Sequence, residues 1–255
     1  MVTWNPFDFT GKTVVLTGAA GALGRPICVA FAEAGANVYA IDASQAALQE
    51  LRDEAKRVGT EVVTSCANLC VQEEVDGVMR SVRERFGAID VLVNLVGGII
   101  RKPSVEYRLE DWEHVLDINL KACWLSCQAV GKLMIGQGHG RIINFSSNAA
   151  LHGIKGYPAY GPAKAGIIAL TRVLAVEWGP YGVATNVIAP GFTDTPMNDE
   201  VLKDRQAVEG ILRRLPFNQI LPGDAMVGPT LFLASDAARW INGHTLHVDS
   251  GFNVT

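Results

Sequence analysis

The chain has 255 residues, 49% of them hydrophobic and 19% charged, with a formal net charge of −4. That length and apolar content suit one large α/β domain or two small ones, and the mild acidity gives no electrostatic footprint for nucleic acid or an anionic membrane. The most apolar stretch, "GIIALTRVLAVEWG", is broken by Arg172 and Glu177, too short to cross a bilayer. The opening "MVTWNPFDFTGK" lacks the basic-then-apolar order of a secretory signal, so a cytoplasmic protein is expected.

The first predicted element is a strand, "TVVLTG" from Thr13, which runs through glycines into a helix, "ALGRPICVAFAEAG", closed by Gly35. Strand "NVYAID" follows, then a helical pattern over 46–57, strand "EVVTSC", a helix over 71–86 and strand "DVLVNLVG". A long helical pattern over 109–133 leads to strand "RIINFSS", a helix over 159–178, strand "VATNVIAP" and, late in the chain, strand "TLHVD". Several of these runs are almost unbroken in apolar character, which predicts strands buried on both faces. Repeated strand–helix alternation implies right-handed crossovers. The expected fold is therefore a doubly wound, Rossmann-type, mostly parallel seven-stranded sheet with helices on both faces.

No linker or composition shift divides the chain, so residues 1–255 read as one dinucleotide-binding domain. The strand-poor stretch 193–223 follows a strand end, where ligands bind in such sheets, and is expected to cover the substrate. The five cysteines and five histidines do not cluster at zinc-like spacing. Reduced, mostly buried thiols and no metal site are the expectation.

In "TGAAGALG" the glycines Gly18, Gly21 and Gly24 are evenly spaced, unlike the G-x-G-x-x-G fingerprint. A glycine turn between a strand and a helix lets a pyrophosphate approach the backbone, with the helix N-terminus supplying N–H groups and a favourable dipole. Standing alone, the same turn could serve packing only. Further along, "YPAYGPAK" places Tyr160 four residues before Lys164, and "NFSS" places Ser147 thirteen before Tyr160. Residues four apart on a helix share a face. Tyr157 fails the same test because Gly161 lies four beyond it, and Pro162 fits if the helix begins near Ala159.

Together these stretches resemble the short-chain dehydrogenase/reductase family over essentially the whole chain. The glycines satisfy both T-G-x-x-x-A/G-x-G, through Gly18, Ala22 and Gly24, and T-G-x-x-G-x-x-G, the pattern of longer relatives with an added substrate domain. The length leaves no room for that domain and places the chain in the short branch. The resemblance implies a catalytic tetrad of Asn119, Ser147, Tyr160 and Lys164. A phenol titrates near pH ~10 in water, and a neighbouring ammonium would favour the phenolate, so that Tyr160 exchanges the substrate proton while hydride passes to or from the cofactor. Ser147 would hold the substrate oxygen, and Asn119 would maintain a water relay toward Lys164.

For the cofactor, the resemblance implies a floor of Gly18, Gly21, Ala22, Leu23 and Gly24, with Asn68, Leu69, Asn94 and Gly97 along the wall. Tyr160 and Lys164 also face the cofactor, and Pro190, Gly191, Thr193 and Thr195 lie beside the carboxamide. Asn68 stands where the family has an aspartate. Leu95 and Val96 replace the second asparagine and the alanine of N-N-A-G, and "DSG" replaces D-G-G near the C-terminus. Asp42 ends the second strand; a carboxylate there accepts from a ribose 2′-OH and repels a 2′-phosphate. Arg25 is a possible counterweight, but "IDAS" offers no basic residue after Asp42. NAD is expected rather than NADP.

The resemblance also implies a substrate pocket lined by Arg101, Asn148, His152, Tyr157, Phe192 and Met197. This mixture suits a small polar alcohol: a sugar acid, polyol, hydroxy acid or cyclic diol. "GGIIRKP" resembles a stretch of the family's sugar-acid dehydrogenases, and dihydrodiol dehydrogenases share its G-G. The alternatives are an NADPH-dependent 3-oxoacyl-thioester reductase and an NAD-binding protein without catalysis. A homotetramer is implied as well, packed through its long helices.

Overall fold

The computed structural model describes residues 5–255. The strands are β1 (Thr13–Thr17), β2 (Asn37–Asp42), β3 (Val62–Cys66), β4 (Val91–Asn94), β5 (Gly140–Phe145), β6 (Val183–Pro190) and β7 (Thr245–Val248). They form one sheet of order β3-β2-β1-β4-β5-β6-β7, with every pairing parallel. Each strand matches an expected one to within a few residues.

The unbroken apolar runs have a simple origin. Val14 and Leu16 of β1, Val91 and Val93 of β4, and Ile143 and Phe145 of β5 face one core. Their neighbours Val15, Leu92 and Ile142 face the other. Alternate side chains point to opposite faces, and both faces are covered. On the first face lie α1 (Gly24–Glu33), α2 (Gln45–Arg57) and, from the far end of the chain, α9 (Val227–Ala234). On the second lie α3 (Gln72–Phe86), α5 (Ala122–Gln137) and α6 (Tyr160–Trp178). No helix among the described residues is long and apolar enough to cross a membrane.

The helical pattern over 109–133 is not one helix. It divides into α4 (Leu109–Leu116), a widened π-type turn over Asp117–Lys121, and α5. The cause lies in Asn119, whose side-chain amide donates to Val115 O at 2.8 Å and to Gly98 O at 2.8 Å. The second bond pulls the turn toward the loop after β4. Inserted turns of this kind concentrate at functional sites.

Strand order reverses between β1 and β4, and a crevice opens at such a switch point above the strand carboxyl ends. The segment that crosses it carries α7 (Asp199–Lys203) and α8 (Arg205–Leu212), and is tied down by a bridge between Thr193 and Leu221.

Candidate active site

The crevice is a cleft of about 1250 Å³, reaching from the glycine turn to the α7–α8 segment. At one end lie Gly18, Gly21, Ala22, Leu23 and Gly24. Gly18 has φ +65°, and a Cβ there would meet Val96 N at 2.8 Å. Only glycine combines that backbone with so close an approach of the next strand's loop. No side chain caps the N-terminus of α1. Arg25 N–H bonds to Gly21 O at 3.0 Å and Pro26 has no N–H, so it is the helix dipole and the backbone just before Arg25 that face an anion. The open turn and the uncapped helix fit a dinucleotide pyrophosphate.

Asp42 lines the same end. Its carboxylate is fixed by Ala20 N–H and Ser44 N–H, each donating at 3.1 Å. Arg25 is drawn away from it: Nε donates to Ala20 O at 2.8 Å, one terminal nitrogen pairs with Glu50 at 2.6 Å, and the other lies 3.7 Å from Glu54. Asn68 and Leu69 line the wall. The Asn68 side-chain oxygen accepts from Cys70 N–H at 3.0 Å, while Glu74 accepts from Asn68 N–H at 2.7 Å.

Tyr160, Lys164 and Ser147 come together in the middle of the cleft. Tyr160 opens α6 and Lys164 lies one turn on, so Pro162 sits in the first turn, where a missing N–H costs nothing. The Lys164 ammonium donates to Phe145 O at 3.1 Å and stands 5.6 Å from the Tyr160 ring centroid. Ser147 hydroxyl accepts from Ala149 N–H at 3.1 Å and donates to Asn148 Oδ1 at 3.3 Å. Asn119 lies behind this row, fully buried, with its Oδ1 unpartnered.

Gly97 clears the space between them: a Cβ there would lie 2.6 Å from Asn119 Oδ1 and 3.1 Å from Lys164 Nζ. Gly97→Ala is expected to displace both groups and lower kcat by about 10-fold or more. Steady-state kinetics beside a thermal melt separates that loss from unfolding.

Burial governs the titration of the pair. It pushes the Tyr160 phenol up to about 12, against a smaller downward pull from hydrogen bonding with Ser147 and from the Arg101 charge. Burial likewise pulls the Lys164 ammonium down to about 8. The expectation of a lowered phenol is therefore corrected for the protein by itself: desolvation of the phenolate outweighs the charges nearby.

Pro190, Gly191, Thr193 and Thr195 line the cleft. Thr193 hydroxyl donates to Gly191 O at 3.0 Å, and Asn198 Nδ2 donates to Thr193 O at 2.9 Å. Arg101, Asn148, Tyr157, Phe192 and Met197 line the substrate end. Arg101 donates to Tyr157 hydroxyl at 3.2 Å and to Asn198 Oδ1 at 3.0 Å, and Tyr157 packs edge-on against Tyr160 at 5.7 Å.

Besides the buried Asn119, two expected site residues lie off the cleft wall. Asn94 turns its amide into the sheet, accepting from Thr17 hydroxyl at 3.1 Å and donating to Asn144 Oδ1 at 2.9 Å. Asn144 in turn donates to Thr171 of α6 at 2.9 Å, so Asn94 belongs to a buried crossbar beneath the cleft. His152 is not on the cleft wall. Its ring bonds to Asn253 Oδ1 and packs edge-on against Phe252 at 5.1 Å. Arg214 and Phe252, which do line the cleft, were not among the expected residues; "LRR" at 212–214 was visible only as a local basic run.

A parallel sheet with a glycine turn at its switch point and a tyrosine–lysine pair on the cleft floor defines a dinucleotide-linked oxidoreductase. The chain belongs to the short-chain dehydrogenase/reductase family. A family model described as enoyl-(acyl carrier protein) reductase matches residues 18–253. A 2-dehydro-3-deoxy-D-gluconate 5-dehydrogenase of Escherichia coli is 34% identical over 96% of this chain and 97% of its own length. A 3-oxoacyl-(acyl-carrier-protein) reductase of Thermotoga maritima is also 34% identical, over 96% of this chain and 98% of its own. The crystal structure of a gluconate 5-dehydrogenase from Burkholderia cenocepacia in complex with NADP and tartrate superposes with TM-score 0.94. It is 28% identical and covers 98% of both chains. The chain is thus an oxidoreductase acting on CH–OH groups.

Proposed function

We propose that the chain is an NAD-linked dehydrogenase that interconverts a secondary alcohol and a ketone on a small hydroxylated substrate, with Tyr160 as general acid and base. The observation that carries this reading is the meeting of Ser147, Tyr160 and Lys164 on the floor of the cleft that the glycine turn opens into. When bound, the nicotinamide supplies the hydride acceptor or donor. In oxidation Tyr160 takes the hydroxyl proton, and in reduction it returns one to the carbonyl oxygen. Ser147 holds that oxygen beside the phenol. The Lys164 charge favours the phenolate, and Asn119 serves it from behind through its unpartnered Oδ1. The α7–α8 segment covers the substrate, held across the cleft by the Arg101–Asn198 bond.

Equal identity to a sugar-acid dehydrogenase and an acyl-carrier-protein reductase does not separate the substrate classes. The polar groups Arg101, Asn148 and Tyr157 at the substrate end favour the small polar alcohol. The 3-oxoacyl-thioester reductase is the second reading. It gains if acyl thioesters are reduced with NADPH faster than any sugar acid or polyol is oxidised.

Two features support NAD over NADP: the fixed Asp42 carboxylate, and the commitment of Arg25 to Glu50 and Glu54. A 2′-phosphate would meet a negative charge with no free guanidinium to answer it. The expected result is tighter binding of NADH than NADPH by calorimetry. Asp42→Asn combined with Glu50→Gln and Glu54→Gln should narrow that gap by about 10-fold or more. Tighter NADPH binding by the unaltered protein would overturn the assignment.

Exposed apolar side chains on α5 and α6, among them Trp124, Val173 and Val176, support a homotetramer packed through these helices. A monomer mass by light scattering would overturn that. Five unpaired thiols suit the reducing cytoplasm.

A further inference from the structure

The substrate end of the cleft carries an unbalanced charge. Arg101, Lys155 and Arg214 line it, whereas the carboxylates among the lining residues are Asp42, at the far end beside the glycine turn, and Asp117. Asp117 is paired with Lys121 at 2.9 Å. Among the described residues Arg101 bonds only to neutral partners, Tyr157 and Asn198. Arg214 differs again. Its guanidinium carbon lies over an aromatic partner, 4.1 Å from the Phe252 ring centroid, and among the described residues no oxygen takes the guanidinium's N–H groups.

The platform beneath Arg214 is itself anchored. His152 packs edge-on against Phe252, and the next residue, Asn253, is held by its backbone N–H on Asp249 at 2.9 Å and by its side chain on His152 and His247. A guanidinium held over a fixed ring is restrained in advance, and its fork of donors matches a carboxylate. The same chain of contacts explains the placement of His152: it braces the tail that carries the arginine's platform.

Resting on the dehydrogenase reading above, we propose that the substrate is an anion, a polyhydroxy acid whose carboxylate is bound by Arg214 on its Phe252 platform. Arg101, nearer the reacting hydroxyl, adds to the positive field. A concave site with several cations and no counter-ion concentrates anions, and a neutral polyol of the same length gains nothing from Arg214.

The test pairs each acid with its neutral counterpart: gluconate with sorbitol for NADH formation, and tartrate with threitol for calorimetric binding to the enzyme–NADH complex. The unaltered enzyme should favour the acid in each pair. Arg214→Gln should reduce that preference by about 10- to 100-fold, mainly through KM, and Arg214→Lys should keep part of it. Added salt should erode the preference in the unaltered enzyme. Equal losses on acid and polyol would reduce Arg214 to a structural role and overturn the proposal, as would a preference for sorbitol and threitol. Oxidation of sorbitol alone would leave the dehydrogenase reading standing while this proposal falls. Reduction of acyl thioesters without oxidation of either partner would remove both.

Discussion

Tyr160→Phe is expected to lower kcat by about 10² to 10⁴ while leaving dinucleotide binding and the fold nearly intact, which is the range set by losing a positioned acid–base group. The substitution removes one oxygen and keeps the ring. That ring opens α6 and packs edge-on against Tyr157, so its packing survives. What disappears is the hydroxyl that takes and returns the substrate proton in this reading. Ser147 cannot replace it, because an aliphatic hydroxyl is too weak an acid to release and recover a proton near neutral pH. Stopped-flow kinetics beside calorimetric NADH titration checks the split between turnover and binding. Full turnover by the variant would remove Tyr160 from the reaction.

Lys164→Met is expected to lower turnover by about 10³-fold and to change stability in a pH-dependent way. The lysine is 4% exposed, and burial takes its ammonium from an ordinary 10.5 down to about 8. Below pH 8 both native and unfolded chains hold the proton, so the native state bears the full desolvation cost, about 3 kcal/mol. Between about pH 8 and 10.5 the native lysine releases its proton first and the unfolded chain binds more protons. The lysine's own contribution to stability therefore rises with pH in that window. Burial pushes the Cys28 and Cys127 thiols up, and their contribution falls as pH rises through about 9; it is common to both proteins and cancels in their difference.

The methionine variant forfeits the bond to Phe145 O, an opposing loss of about 1–3 kcal/mol. Near neutral pH the two terms largely offset. Urea unfolding at several pH values between 7 and 9.5 should show the stability of the unaltered protein climbing relative to that of the variant. Parallel profiles would mean that the lysine is not held charged in a buried site. At pH 7 a group titrating near 8 is still mainly protonated, so the charge needed beside Tyr160 is present where the enzyme works.

The sheet was legible in the sequence because its strands are buried on both faces. Val14, Val15 and Leu16 form an apolar run since consecutive residues meet different cores. The tyrosine–lysine pair was legible because a helix fixes its spacing locally. What could not be read depends on distant partners. The π-type turn at Asn119 follows from a bond to Gly98, and His152 is claimed by Asn253 from the far end of the chain. Asn94 satisfies Thr17 and Asn144, residues brought level with it only by strand register. Arg214 reaches the cleft from the end of α8, where no spacing rule marks it. The raised phenol escaped for another reason: a sequence shows which charges are near but not how much water is lost.

The most direct test follows NADH formation by its absorbance when NAD and then NADP are offered with sugar acids, polyols, hydroxy acids and cyclic diols, with Tyr160→Phe alongside. The account predicts oxidation of a small hydroxylated substrate with NAD, slower reaction with NADP, and near silence from the variant. Turnover confined to acyl thioesters with NADPH, or turnover that survives the loss of the Tyr160 hydroxyl, would contradict it.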